Sequence, residues 1–310
     1  MPAWVSWLFP AQASTLAPKV DYLFLFLILT TGSVLVLVFL LVAVFSIRNR
    51  RRLPDQVGAD IAGSNILETF WTATPLVIFI IMFVWGAVLY FERSKPPAGS
   101  MEIYVVAKQW MWKLQHPEGP REINELHVPL GVPVRLVMTS QDVIHSFFVP
   151  AFRIKQDVLP GRYTSEWFQA TKPGRYHLFC AEYCGSQHSR MGGWVEVMDP
   201  ADYQNWLDSE QVSESMVASG QRLFESLGCS GCHGPSDTAR GPSLLNLYGR
   251  SVQLEGGGSV IADESYIRES IVNPGTKIVP GYKPLMPTYQ GQVGEDQLVQ
   301  LIEYIKSLRK

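Results

Sequence analysis

The chain has 310 residues, 47% hydrophobic and 17% charged, with a net charge of -2, a length that accommodates two domains and a membrane part. No run of basic residues interleaves with aromatics, which argues against nucleic acid as a partner. All four cysteines fall in two short motifs, Cys180/Cys184 and Cys229/Cys232, so none remains for a disulfide that staples the fold.

In chain order, the first signals are two charge-free apolar runs, Tyr22 to Ile47 (26 residues) and Phe70 to Tyr90 (21 residues). About 20 apolar residues cross the hydrocarbon core of a bilayer, so both are expected to be transmembrane helices within an N-terminal unit covering 1–95. A buried hairpin of a soluble protein seldom runs so long without a charge. The first 20 residues lack a basic n-region, and no cleaved signal peptide is evident. Arg48, Arg50, Arg51 and Arg52 lie between the spans, against Lys19 alone before them. The positive-inside rule puts that loop in the cytoplasm and both termini outside. Glu68 is the one acid at the start of the second span on the cytoplasmic side. Read alone, it is a first-turn residue favoured by the helix dipole.

Residues 96–198 show short β-rich runs, IYVVAKQW, VPVRLVMTS, YTSEWFQA, RYHLFC and GWVEVM, split by Gly and Pro. Regularly spaced short strands predict a sandwich or barrel. The run CAEYCGSQHSRM leaves the fourth of these strands and supplies Cys180, Cys184, His188 and Met191, while DVIHSF supplies His145. Thiolate, imidazole and thioether form a soft donor set that selects copper or zinc. One thiolate with two His and an axial Met would suit a blue-copper centre. Two thiolates on one loop can instead bridge two metals, each capped by one His. A Cys2His2 zinc site is the alternative, but it favours shorter Cys spacing and has no use for Met191.

Residues 199–213 are polar and acidic and read as a linker with a short helix. Residues 214–310 read as mainly helical, with Leu298, Leu301, Ile302, Ile305 and Leu308 forming one apolar face of the last helix. CSGCH is the c-type haem attachment pattern: Cys229 and Cys232 hold the porphyrin and His233 is the proximal ligand. A sixth ligand comes from Met216 or Met286. Met216 sits on the helix leading into the motif, whereas Met286, in KPLMPTY, lies on a Pro-flanked loop that can wrap around the haem, so Met286 is the expected ligand. His/Met ligation leaves no open position and suits electron transfer.

Jointly, CAEYCGSQHSRM, DVIHSF, VLPGRY, QWMWKL, ETFWTATP and CSGCH resemble subunit II of the haem–copper cytochrome c oxidases, in the bacterial caa3 variety with a fused cytochrome c domain. The resemblance covers nearly the whole chain. It implies a two-helix transmembrane hairpin, an all-β cupredoxin-like sandwich and an all-α class I cytochrome c domain. It further implies a dinuclear CuA centre held by His145, Cys180, Cys184, His188, Met191 and the carbonyl of Glu182, whose side chain reaches a magnesium ion at the interface with subunit I. Trp110 matches the family's electron-accepting residue above CuA; Met111 stands where the family commonly has Tyr or Phe. Glu68 matches the acid at the mouth of a proton pathway. Pro242 would support the His233 ring and Arg250 would meet a haem propionate. The implied setting is a bacterial plasma membrane, two-pass, with both redox domains on the outer side. The implied function is relay of electrons from a cytochrome c or bc-type complex, through haem and CuA, to the oxygen-reducing site of a proton-pumping oxidase. The implied partners are subunit I, further oxidase subunits and the lipid bilayer.

Four other kinds of protein are rivals. A nitrous oxide reductase needs a His-rich catalytic domain, which six His in all exclude. A nitric oxide reductase component fits Glu68 and Trp110 less well. A membrane-anchored copper-delivery protein has no use for Met191 or a fused haem. Quinol oxidase subunits share the fold but lack the copper ligands.

Overall fold

The computed structural model describes residues 9–58, 60–210, 214–234 and 240–309. Two long helices come first, α1 (Ala17–Arg48) and α2 (Asn65–Ser94), with mean hydropathies of 2.8 and 2.3 in their most apolar windows. They pack as an antiparallel pair, with Phe26 and Trp85 in ring contact. Large side chains such as Phe39 and Phe83 stand 72% and 75% exposed. Apolar surface on that scale requires a non-aqueous surrounding. Both helices outrun the expected spans. The extra turns are polar ends: Ser64 caps α2 through Leu67 N, and Asp21 and Arg93 engage the next domain.

Ten strands follow: β1 (Met101–Lys108), β2 (Met111–Gln115), β3 (Arg121–Ile123), β4 (Glu125–Pro129), β5 (Pro133–Ser140), β6 (His145–Val149), β7 (Ile154–Val158), β8 (Thr164–Gln169), β9 (Gly174–Cys180) and β10 (Gly192–Met198). They form two five-stranded sheets, ordered β3-β2-β1-β5-β8 and β4-β10-β9-β6-β7. The β1–β5 and β4–β10 pairs are parallel and the remainder antiparallel. Inward residues of both sheets, among them Ile103, Val105, Leu136, Phe147, Leu178 and Val195, build one core. All five runs expected as strands are strands. β2, β3, β4, β6 and β7 were not singled out, because strands of three to five residues carry too little alternation.

The N-terminal segment also belongs to this sandwich. Ala13 and Leu16 are buried in its core, and Ser14 bridges Ala170 beside β8. The sandwich therefore recruits residues from before the membrane hairpin, across the boundary at 95 expected from sequence.

The segment expected as a linker is mostly helix α3 (Pro200–Ser209); residues 211–213 lie outside the described residues. α3 is docked. Tyr203 OH bonds buried His116 at 3.1 Å, and Trp206 stacks on His127 at 4.6 Å between ring centroids. Both His rings pair with Glu122, at 2.8 and 2.5 Å.

The last domain comprises α4 (Met216–Ser226), a hairpin of β11 (Ser251–Gln253) and β12 (Ser259–Ile261), α5 (Glu264–Val272) and α6 (Glu295–Ser307). It is helical apart from that hairpin. α4 and α6 cross closely at Gly220, where a Cβ would strike the Gln300 backbone.

The outer faces of β1 and β5 are covered by this domain, which is why MEIYVVAK lacks a polar alternation. Tyr104, Val137, Met216 and Val299 form a buried cluster between the two domains. Around it, Arg135 bonds Glu102 at 2.5 Å and Glu264 at 3.1 Å. Lys306 meets Glu102, Glu303 and the Tyr104 hydroxyl, and Lys113 pairs with Asp296 at 2.9 Å.

Candidate metal and haem centres

β6 and β9 are neighbours, with Phe147 opposite Cys180. This pairing brings His145, at the start of β6, beside the loop leaving β9. Cys180 Sγ lies 3.9 Å from His145 Nδ1 and 3.8 Å from Cys184 Sγ. Cys184 Sγ lies 3.4 Å from His188 Nδ1 and 3.7 Å from Met191 Sδ. The Glu182 carbonyl is 3.3 Å from Cys180 Sγ. The sulfurs are nearly twice a disulfide length apart. At a metal–sulfur distance of about 2.3 Å, both can hold the same metal. Cys180, Cys184, Met191 and His145 are all buried, so the donor set is shielded from water. Five soft side-chain donors and one carbonyl converging at these distances fit a copper centre.

The electrostatics favour one thiolate. Burial pushes the Cys180 thiol up, but hydrogen bonding with His145 and the backbone outweighs it and brings the thiol below its ordinary value. Burial and the charge of Cys180 raise Cys184.

Supporting groups fix the donors. Asp142 Oδ1 lies 2.8 Å from His145 Nε2 and accepts from Val143 N at 2.7 Å, while its Oδ2 accepts from Gln109 N at 2.8 Å. It thereby holds the imidazole with Nδ1 toward the sulfurs. Gln109 Nε2 and Trp110 Nε1 donate to the Cys184 carbonyl at 2.8 and 3.2 Å. Trp110 therefore stands half-buried against the donor loop, and Trp112 packs edge-on to His145 beneath it. Asp142 and Gln109 were not singled out from sequence. The i,i+3 spacing of Asp142 and His145 was the available signal.

In the last domain a cavity of about 890 Å³ is lined by Cys229, Cys232, His233, Pro242, Arg250, Met286 and Tyr289, with apolar walls from Phe224, Leu301 and Ile305. His233 Nδ1 is 2.8 Å from the Pro242 carbonyl, which leaves Nε2 as its ligating nitrogen. A Cβ on Gly241 would come within 2.8 Å of His233 Cε1, so glycine there keeps the ring's place open. Met216 is fully buried between the domains and does not line the cavity, whereas Met286 does. The size, apolar walls and Cys/Cys/His/Met set fit a covalently held haem.

The remaining expected residues lie apart. Glu68 is exposed in the first turn of α2, at the end of the hairpin away from the sandwich. The Glu182 side chain is exposed on the donor loop.

Comparison with known proteins agrees with this layout. Residues 2–87 match the family "Cytochrome C oxidase subunit II, transmembrane domain". Residues 121–198 match "Cytochrome C oxidase subunit II, periplasmic domain", and residues 217–309 match "Cytochrome c". Cytochrome c oxidase subunit 2 of Thermostichus vulcanus is 33% identical over 260 residues, covering 66% of this chain and 79% of that protein. Its namesake from Alkalihalophilus pseudofirmus is 28% identical over 301 residues, covering 89% and 85%. Among solved structures, the periplasmic domain of subunit II of cytochrome oxidase of Bradyrhizobium japonicum is 30% identical, covers 38% of this chain and 97% of that one, and superposes with a TM-score of 0.36.

Proposed function

Because the chain belongs to the cytochrome c oxidase subunit II family, as an oxidoreductase subunit with two apolar helices and a fused cytochrome c domain, we propose that it is the electron-relaying subunit of a proton-pumping oxidase. In this reading His145, Cys180, Cys184, His188, Met191 and the Glu182 carbonyl hold a dinuclear copper centre. Cys229, Cys232, His233 and Met286 hold a haem c. Bound there, these groups supply reversible one-electron transfer, the chemistry of a relay from a cytochrome c or bc-type donor to the oxygen-reducing subunit I. The protein's own residues keep the donor sets rigid and dry. Asp142 orients the His145 imidazole, the Pro242 carbonyl orients His233, and Trp110, held on the Cys184 carbonyl, covers the copper-binding loop where an electron would arrive. Arg250 lines the haem cavity as a cation for a propionate. The exposed Glu182 carboxylate faces out of the copper loop, where a magnesium ion would sit against subunit I. Glu68 stands at the far end of the spans for proton uptake. Four arginines beside that end favour the cytoplasmic side for it by the positive-inside rule, which in a bacterial plasma membrane leaves the redox domains on the outer side.

The observation that carries this reading is the convergence of five soft side-chain donors on one loop and one strand, in a chain that also holds the CxxCH cavity. Metal analysis and EPR on the full haem-matured chain test it. The expected result is two coppers per haem iron with one unpaired electron shared between them. One copper, or zinc, per haem would overturn it and favour copper delivery.

A further inference from the structure

The membrane hairpin meets the copper domain at two ion pairs that the relay does not use, one buried and one half-buried. Asp21, near the start of α1, is 2% exposed. It accepts from Arg153 Nε at 2.8 Å and Nη2 at 2.9 Å, and from Gln12 Nε2 at 2.8 Å. Arg153 has φ 56°, a left-handed conformation disfavoured for a residue with a Cβ. All five of its N–H donors are engaged: beyond Asp21 they reach the carbonyls of Ala11, Pro150 and Pro10. Arg93, at the end of α2, is bidentate on Glu166 of β8: Nε donates to Oε1 at 3.1 Å and lies 2.8 Å from Oε2, which also accepts from Nη2. It also reaches the Lys155 carbonyl, and next to it Trp167 Nε1 donates to the Glu92 carbonyl at 3.2 Å.

A buried ion pair is weak support for stability, because an apolar pair of equal volume serves as well or better. What bidentate arginine adds is direction. Both arginines also touch one hairpin, Arg153 from the turn between β6 and β7 and Arg93 through the Lys155 carbonyl of β7, while Glu166 holds Arg93 from β8 of the facing sheet. β6 and β7 run from the pair Val149/Ile154, flanked by Arg153 and Lys155, to the pair His145/Val158. The anchored end and the metal-ligand end are therefore joined by one strand of five residues, spanning about 13 Å. One anchor alone would permit pivoting about itself; two anchors on different spans do not.

We propose that Asp21–Arg153 and Arg93–Glu166 form a two-point mount through which the membrane spans set the orientation of the copper centre, making Arg153 and Glu166 positioning residues for electron delivery to the partner subunit. The consequence for electron delivery rests on the copper reading above; the mount itself involves no metal.

Nitroxides on Asp55→Cys, between the spans, and Lys172→Cys, on the copper domain, report the geometry in the assembled, metal-loaded complex by pulsed EPR. The unmutated mount is expected to give a single narrow distance distribution. The double variant Arg153→Gln/Glu166→Gln is expected to broaden it. Copper content and the copper EPR signal stay intact, while electron delivery to subunit I slows by about tenfold or more. Glu166→Gln alone, nearly isosteric, is read in the same way if the double variant does not accumulate. An unchanged distribution in these variants overturns the mount, as does loss of copper without broadening, which would reduce the pairs to local folding aids. Copper stoichiometry is measured on the unmutated chain, so a mistaken metal assignment shows there and leaves the distance result standing.

Discussion

Single residues decide how firmly each donor is held. Asp142→Ala removes the partner of His145 Nε2 while leaving every donor in place. Copper affinity is expected to fall by about 10–100-fold in a competitive chelator titration, with the haem spectrum unchanged. If Met286 is the sixth ligand, Met286→Leu should open that position of the haem iron, and carbon monoxide is expected to bind the variant but not the unmutated chain. Gly241→Ala should displace the His233 ring, since its Cβ would lie 3.0 Å from Nδ1, and so disturb ligation without touching a ligand; the haem absorption spectrum records the change. At this scale the sequence was highly legible. Most of the expected donors sit at fixed short spacings in CAEYCGSQHSRM and CSGCH, so local order encodes them, while His145 and Met286 come from the separate runs DVIHSF and KPLMPTY. Gln109 was not read out, because its bond to the Cys184 carbonyl joins loops 75 residues apart, and Asp142 was not, because an acid three residues before a histidine is too common a local pattern to mark a partner of His145.

Secondary-structure elements show where pattern reading reaches its limit. Strands of six to eight residues were legible, and five-residue ones were not. The docking of α3 is the clearest difference: a short helix was expected there, but as part of a linker, and only Tyr203 and Trp206 turn toward the sandwich, two residues being too few for a periodicity. Their contact makes the attachment of α3 pH-dependent. Burial raises Glu122, but His116 and His127 outweigh it and hold the carboxyl below its ordinary 4.5. Burial lowers His127, but Glu122, then Glu125 and Glu196, outweigh it and hold the imidazole above its ordinary 6.5. The Glu122 contribution is complete above 4.5 and is lost as pH falls through its depressed value. The His127 contribution is complete below 6.5 and is lost as pH rises through its raised value. Attachment is therefore expected to be strongest between pH 4.5 and 6.5. Above that window the melting midpoint should slip by about 1–2 °C, a small amount because His127 is partly solvent-screened. Glu122→Gln should flatten this dependence in a pH series of thermal scans.

Over the whole molecule, two cations and three acids, Arg135, Lys306, Glu102, Glu264 and Glu303, tie the haem domain to the sandwich. Arg135→Glu should cost about 3 kcal/mol by leaving buried acids unpaired, and a partial recovery in Arg135→Glu/Glu264→Arg would identify the pair. Limited proteolysis between the domains measures both. None of this network was legible in the sequence, since its members lie as far apart as Glu102 and Lys306 and look like ordinary surface charges. The three-part architecture, by contrast, was legible from two apolar runs, a block of short strands and one haem motif. The burial of Ala13 and Leu16 in the sandwich carries a consequence for biogenesis. The sandwich cannot complete its core from contiguous chain; it must close a loop of roughly 80 residues between Leu16 and Lys95, which for a free coil costs about 4 kcal/mol in entropy. Insertion of the two spans brings those ends together beforehand, so the bilayer acts as a template for a domain that lies wholly outside it, and a secreted fragment beginning at residue 96 would have to fold with a seam in its wall.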